Sequence, residues 1–152
     1  MVIKELLNPK SIFINIDVND HNDALEMIAK KLYEANFIED KTRFLNALNY
    51  RENLMSTALN DGIAIPHGIS STVIQPTISL AILKNGIDWK AEDNKKVNLI
   101  FTIVLSKEDR EIQLDSIQVI ADYSLDDNFH SEIMNAKTQE QAYEILVKYF
   151  PL

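Results

Sequence analysis

The hydrophobic and polar positions of this chain switch between a period of two and a period near 3.6. Residues 11–16 (SIFINI) alternate and are rich in β-branched side chains, which predicts a strand. Asn19 or Asp20 then offers a helix cap, and Asp23 sits early, where the helix dipole favours an acid. Leu25, Ile28, Leu32 and Ala35 recur at helical spacing and carry that helix to about Asn36. A second helix is expected over 39–49, with Phe44, Leu45 and Leu48 as its buried stripe. A short strand near 56–59 leads into Asn60-Asp61-Gly62, a turn signal. Ile63-Ala64-Ile65 follows as an apolar strand, ended by Pro66.

Two longer strands are expected over 78–83 and 97–105, with turn-like Asn85-Gly86 and Glu92-Asp93-Asn94 between them. The second is apolar except at Asn98 and Thr102, as for a strand covered on both faces. Ser106-Lys107-Glu108-Asp109 resembles a capping box, with Asp in place of the usual Glu. Leu114, Ile117, Ile120 and Ala121 then recur at helical spacing, and 126–135 and 138–149 read as two closing helices. Strands and helices are mixed, with helices towards both ends. That pattern predicts a layered α/β domain, a mixed β-sheet flanked by helices, as one domain over 1–152.

Composition narrows the chemistry. No cysteine is present, which removes disulfides, cysteine-ligated zinc, iron–sulfur clusters and thiol catalysis. Three histidines, with no cluster around any of them, give no metal site. The net charge of −8 argues against nucleic-acid binding, which needs a basic surface to meet phosphates. It also disfavours a polybasic membrane anchor. The first residues have no long apolar core and soon carry acids, unlike a signal peptide, and no stretch approaches the ~20 apolar residues of a membrane span. A cytoplasmic protein is expected.

The best chemical locus is Asn60 through Gly68. His67 lies just past a buried strand, and in α/β sheets ligands gather at strand ends. Pro66 stiffens the approach, and Gly68 lets the backbone pass close to whatever His67 contacts. A hydrogen-bonded, inert turn histidine fits the same spacing. His21, at a helix start, and His130, in a polar helical stretch, read as surface residues. Just upstream, Arg51 offers a planar fork matched to phosphate, Glu52 a carboxylate, and Ser56 and Thr57 hydroxyl donors. Arg51–Glu52 taken alone also fits a surface pair.

Arg51-Glu52, Ser56-Thr57 and Gly62-Ile-Ala-Ile-Pro-His-Gly68 together resemble the signature of the fructose/mannitol-type IIA domains of the bacterial phosphotransferase system. The Asn-Gly-Ile-Asp-Trp segment at 85–89, the apolar strand 97–105 and the helix after it extend the likeness over nearly the whole chain. The resemblance implies that His67 accepts a phosphoryl group on Nε2 from the phosphocarrier HPr. A cognate IIB domain then takes it for a sugar entering through a membrane IIC permease. Arg51 would supply charge, Ser56 or Thr57 hydrogen bonds, and no metal or other cofactor is needed.

One departure stands out. Fructose/mannitol-type members usually carry a second histidine in a His-Leu pair opening the helix after the long strand, and here Gln113-Leu114 occupies that place. A small shift in that alignment would substitute Glu111. Gln keeps an N–H donor but cannot become a cation. Galactitol-type IIA proteins often carry Gln there, so the sugar class stays open. So does a regulatory role of the nitrogen-related kind, with phosphorylation read by partner proteins, and a non-catalytic interaction module on the same fold. The resemblance includes no helix-turn-helix extension and no fused IIB or IIC segment.

Overall fold

A computed structural model describes residues 3–151. In chain order the elements are β1 (Ile12–Ile16), α1 (His21–Glu34), α2 (Lys41–Leu54), β2 (Ile63–Ala64), β3 (His67–Ile69), β4 (Thr77–Ile87), β5 (Val97–Leu105), α3 (Arg110–Tyr123), α4 (Asp127–Met134) and α5 (Gln139–Tyr149). The strands form one sheet in the order β1-β4-β5-β2, with β3 pairing further along the same edge of β5. β1 runs parallel to β4, β4 antiparallel to β5, and β2 and β3 parallel to β5. The expected mixed α/β sheet is therefore present.

The sheet has a core on each face. Ile63, Ile65, Leu99, Phe101, Ile103 and Leu105 pack with Ile120 of α3, Phe129 of α4 and Leu146 of α5. Ala64, Ala81, Ile100 and Val104 pack on the other side against Leu25, Ile28 and Leu32 of α1 and Phe44 and Leu48 of α2. The run of β5, apolar except at Asn98 and Thr102, is what two covered faces require.

Helix starts follow their caps. Asp20, of the two candidates, caps α1: its carboxylate accepts from the Asp23 N–H at 2.8 Å, while Asp23 accepts from the Asn19 N–H at 2.9 Å. Asp40, Asp126 and Thr138 cap α2, α4 and α5 in the same way.

Five local expectations need correction. Helix α2 does not stop at 49 but runs to Leu54, so Arg51 and Glu52 stand on its last turn. The strand near 56–59 reduces to a single bridge, Ala58 to Ala64, across the turn at 60–62. Asn85-Gly86 is not a turn; it lies inside β4, where the register with β5 shifts between Ile82 and Ile87. A side chain at Gly86 would come within 2.9 Å of Lys96 Cβ, so that glycine serves close strand approach. Ser106 and Asp109 bond each other's side chains at 2.8 Å instead of capping, and residues 107–109 make a tight turn before α3. Leu114 is 75% exposed and outside the core; the buried face of α3 carries Ser116 and Ile120.

Candidate active site around His67

His67 opens β3, in register with Ile103 of β5. Pro66 has no N–H to donate, yet its carbonyl accepts from Ile103 N–H at 3.0 Å, so the pairing survives the proline. Registered strand neighbours share a face of the sheet. Ile103 belongs to the core beneath α3, so the backbone places His67 on the side of the sheet that α3 covers.

Gly68 explains how α2 reaches this histidine. A Cβ there would stand 3.0 Å from Ala47 Cβ, 3.2 Å from the Ala47 carbonyl carbon and 3.3 Å from Leu48 N. The close approach anticipated at this glycine is therefore to the backbone of α2. One helical turn beyond Ala47, Arg51 arrives beside the imidazole.

The hydrogen bonds define the state of the ring. His67 Nδ1 lies 2.9 Å from the Ile65 carbonyl oxygen, which can only accept, so Nδ1 carries the proton. Nε2 is left with its lone pair, and Arg51 Nε–H donates to it at 3.2 Å. Burial pushes the His67 pKa down; the bond to Ile65 and the Glu52 charge pull it up, and Arg51 pushes it down again. The net shift is below the ordinary imidazole value, so the ring is neutral at pH 7 with Nε2 nucleophilic. Arg51 also donates from Nη1 to the Met55 carbonyl at 2.6 Å, which pins the guanidinium to the end of its own helix.

Glu52, the next residue on α2, turns the other way. Its carboxylate accepts from the Thr57 hydroxyl and from the Thr57 N–H at 3.3 Å, and lies 3.4 Å from His21 Nε2. Trp89, buried beneath, donates its indole N–H to Thr57 Oγ1 at 3.3 Å. Burial would raise the Glu52 pKa, but the bonds from His21 and Thr57 outweigh it and hold the group below the usual carboxylate range.

These contacts revise three sequence expectations. Thr57 is not available to phosphate: it is 7% exposed and its hydroxyl is committed to Glu52. Ser56 is half-buried and donates to the Trp89 carbonyl at 2.6 Å. His21 is not a free surface residue, because it pairs with Glu52 and meets the Trp89 ring edge-on at 4.5 Å. A cleft of about 470 Å³ lies over this second cluster, lined by His21, Glu52, Ser56, Asp88, Trp89 and Lys90. His130 stands on α4 at a separate cleft with Asp61, Lys95 and Asn98.

Gln113 lies in the first turn of α3 and is half-buried, on the same side of the helix as Ile117 and Ile120. Large apolar side chains stand exposed at the end of α2 (Tyr50, Leu54 and Met55) and on α3 (Leu114), all more than half exposed. Among the described residues no group of three or more His, Asp or Glu is placed to hold a metal ion, and no helix is long and apolar enough to cross a membrane.

With this geometry in view, comparison with known proteins is decisive. Residues 5–149 match the family of the phosphoenolpyruvate-dependent sugar phosphotransferase system, EIIA 2. The chain belongs to that family. It is a IIA phosphotransfer component. The mannitol-specific phosphotransferase enzyme IIA component of Staphylococcus aureus is 30% identical over 146 residues, which cover 94% of this chain and 96% of that protein. The PTS system fructose-specific EIIABC component of Bacillus subtilis is 25% identical over 146 residues; the match covers 96% of this chain but only 23% of that longer protein. Among solved structures, nitrogen regulatory protein IIA-Ntr from Neisseria meningitidis has a TM-score of 0.85 at 25% identity, covering 95% of this IIA chain and 98% of that one. IIA mannitol in the Escherichia coli complex with phosphorylated IIB shares the fold, with a TM-score of 0.78 at 17% identity over 93% and 97% of the two chains.

Proposed function

We propose that this IIA protein carries a phosphoryl group on His67 Nε2, taking it from phospho-HPr and handing it to a cognate IIB component for sugar uptake. The observation that carries the reading is the pair of bonds on one ring: Nδ1–H to the Ile65 carbonyl and Arg51 Nε–H to Nε2.

The chemistry follows from that pair. Nε2 attacks phosphorus in line with the leaving nitrogen or oxygen of the donor; one bond to phosphorus forms as the other breaks, and the leaving group keeps the electron pair. As Nε2 bonds to phosphorus the His67 ring takes on positive charge, and the Nδ1–H bond to Ile65 strengthens as it does so. Arg51 Nε–H must leave Nε2 at that moment, and its guanidinium then faces the phosphoryl oxygens, where a planar cation fits best. Gln113, with its amide donor, supplies a second contact to the phosphoryl group in place of the histidine usual in fructose/mannitol-type members. Ser56 and Thr57, engaged with the Trp89 carbonyl and with Glu52, brace the end of α2 and are not drawn into the phosphoryl contact. Transfer to IIB is the same displacement in reverse, with His67 as the leaving group.

The exposed apolar side chains of Tyr50, Leu54 and Met55 beside Arg51, and Leu114 beside Gln113, suit docking of both partners, since interface cores are depleted in charge. The relatives named for mannitol and fructose support a sugar of that class, and Gln113 adds galactitol to the set to be tested. We place the protein in the cytoplasm, where HPr and the IIB domains act. A regulatory role is favoured by one observation, the likeness to the Neisseria nitrogen regulatory protein. The test is to phosphorylate the protein with enzyme I, HPr and phosphoenolpyruvate and chase it with mannitol-, fructose- and galactitol-type IIB domains. Rapid discharge to one of them is expected. Stable phosphoprotein in the presence of all three would favour the regulatory reading.

A further inference from the structure

Arg51 and Glu52 are consecutive on α2, so their side chains leave the helix about 100° apart. One faces the reacting ring and the other faces α1. A buried carboxylate next to the guanidinium that must meet a phosphoryl group is a hazard on two counts. It competes for Arg51, and it repels the incoming anion. Its charge does reach the reacting ring, since Glu52 raises the proton affinity of His67.

The structure answers this with a titratable partner: His21 Nε2 lies 3.4 Å from the Glu52 carboxylate. The Glu52 side chain is 4% exposed and that of His21 30%, so the pair lies below the surface, where solvent screening is weak. Thr57 fills one carboxylate oxygen and shares the other with His21. The edge-on Trp89 ring fixes the plane of the imidazole. His21 sits at the first position of α1, where the helix dipole works against a cation, so the pairing with Glu52 must outweigh it. The charged groups facing His21 are Glu52 from α2 and Asp20 from its own cap, with Asp88 and Lys90 of the β4–β5 connection on the same cleft. The bond to Glu52 is the leading cause that raises the His21 pKa; burial opposes it, and the charges of Glu52 and Asp20 add to it.

We propose that His21 is a positioning residue for phosphotransfer: as an imidazolium it holds and neutralises Glu52, leaving the Arg51 guanidinium free for the phosphoryl group. This rests on the reading of His67 as the acceptor.

The test is the rate of phosphotransfer from phospho-HPr, measured across pH for the wild type and for His21→Gln, with the same donor in both series. Gln keeps an N–H donor for Glu52 and never carries charge. The ratio of wild-type to His21→Gln rates should be about tenfold near pH ~6, less than the ~10²-fold of a donor that touches the reacting group. It should fall towards one by pH ~9, as the wild-type imidazolium loses its proton. His21→Lys should restore the faster rate and hold it to higher pH. A purely structural His21 would give a constant ratio across pH, and a ratio of one throughout would mean no role; either result overturns the proposal. His67→Ala, run alongside, separates the two claims. If that variant still accepts phosphate, the acceptor assignment itself has failed. If it is silent while the ratio is flat, only the role of His21 falls.

Discussion

Replacing Gly68 with alanine adds one methyl group and should damage both the fold and the chemistry. The backbone at Gly68 is outside the left-handed region, so the substitution meets no conformational penalty; only space forbids it. The new Cβ would lie 3.0 Å from Ala47 Cβ, 3.2 Å from Ala47 C and 3.3 Å from Leu48 N. Comfortable carbon–carbon contact is about 3.5–4.0 Å, so α2 and β3 must part by roughly 0.5–1 Å. Two of the three atoms are helix backbone and cannot rotate aside, so the helix moves as a body. Overpacking of this kind costs about 1–3 kcal/mol. Arg51 rides on the same helix, and its bond to His67 is already 3.2 Å long. A shift near ~1 Å in a positioning group costs on the order of 10²-fold in rate. Urea unfolding and single-turnover transfer from phospho-HPr measure the two losses separately. Ala47→Gly in the same chain removes the shortest contact but leaves the backbone ones, so it should recover only part of each. Wild-type stability and rate in Gly68→Ala would refute the seating of α2 on β3 described here.

Variants at Arg51, Gln113 and Leu114 probe the site further. Arg51→Ala should fold normally and lose roughly 10²-fold in transfer, and Arg51→Lys should recover only part because the fork is gone; a wild-type rate in the alanine variant would reduce Arg51 to a surface residue. Gln113→Ala should slow transfer by about 10–150-fold, the worth of one hydrogen bond to a charged group, while Gln113→His should keep activity; wild-type rates in both and in Glu111→Gln would mean that α3 does not reach the phosphoryl group. Leu114→Asp should leave thermal stability unchanged, because the side chain is 75% exposed, and raise the KM for phospho-HPr or IIB about tenfold or more with little change in kcat. A fall in melting temperature there would show Leu114 to be packed.

The parts of this fold that depend on periodicity were readable from sequence. The β5 run, apolar except at Asn98 and Thr102, announced a strand covered on both faces, and the Asn19/Asp20 cap marked where α1 begins. Periodicity was silent wherever the stabilising contacts are long-range. The stripe of α2 ends at Leu48, and its last turn is held instead by Arg51 on the Met55 carbonyl and by Glu52 on Thr57, so the helix looked shorter than it is. Asn85-Gly86 looked like a turn because such pairs usually are; here the glycine lets β4 pass Lys96. The family motif singled out His67 and Arg51, which the structure brings together at 3.2 Å, and pointed to Gln113, whose role rests on the variants above. The commitment of Thr57 to Glu52, and the reach of His21 from another helix, belong to tertiary packing that a linear pattern does not encode.

The central claim is that Nε2 of His67 is the atom that carries phosphate. Its most direct test is to phosphorylate the wild type and His67→Ala with enzyme I, HPr and phosphoenolpyruvate, and to locate the group by mass spectrometry and by nitrogen NMR of the histidine rings. The account predicts one acid-labile, base-stable phosphoryl group on Nε2 of His67, and none on the variant. Label on Nδ1, on His21 or His130, or full labelling of His67→Ala would contradict it.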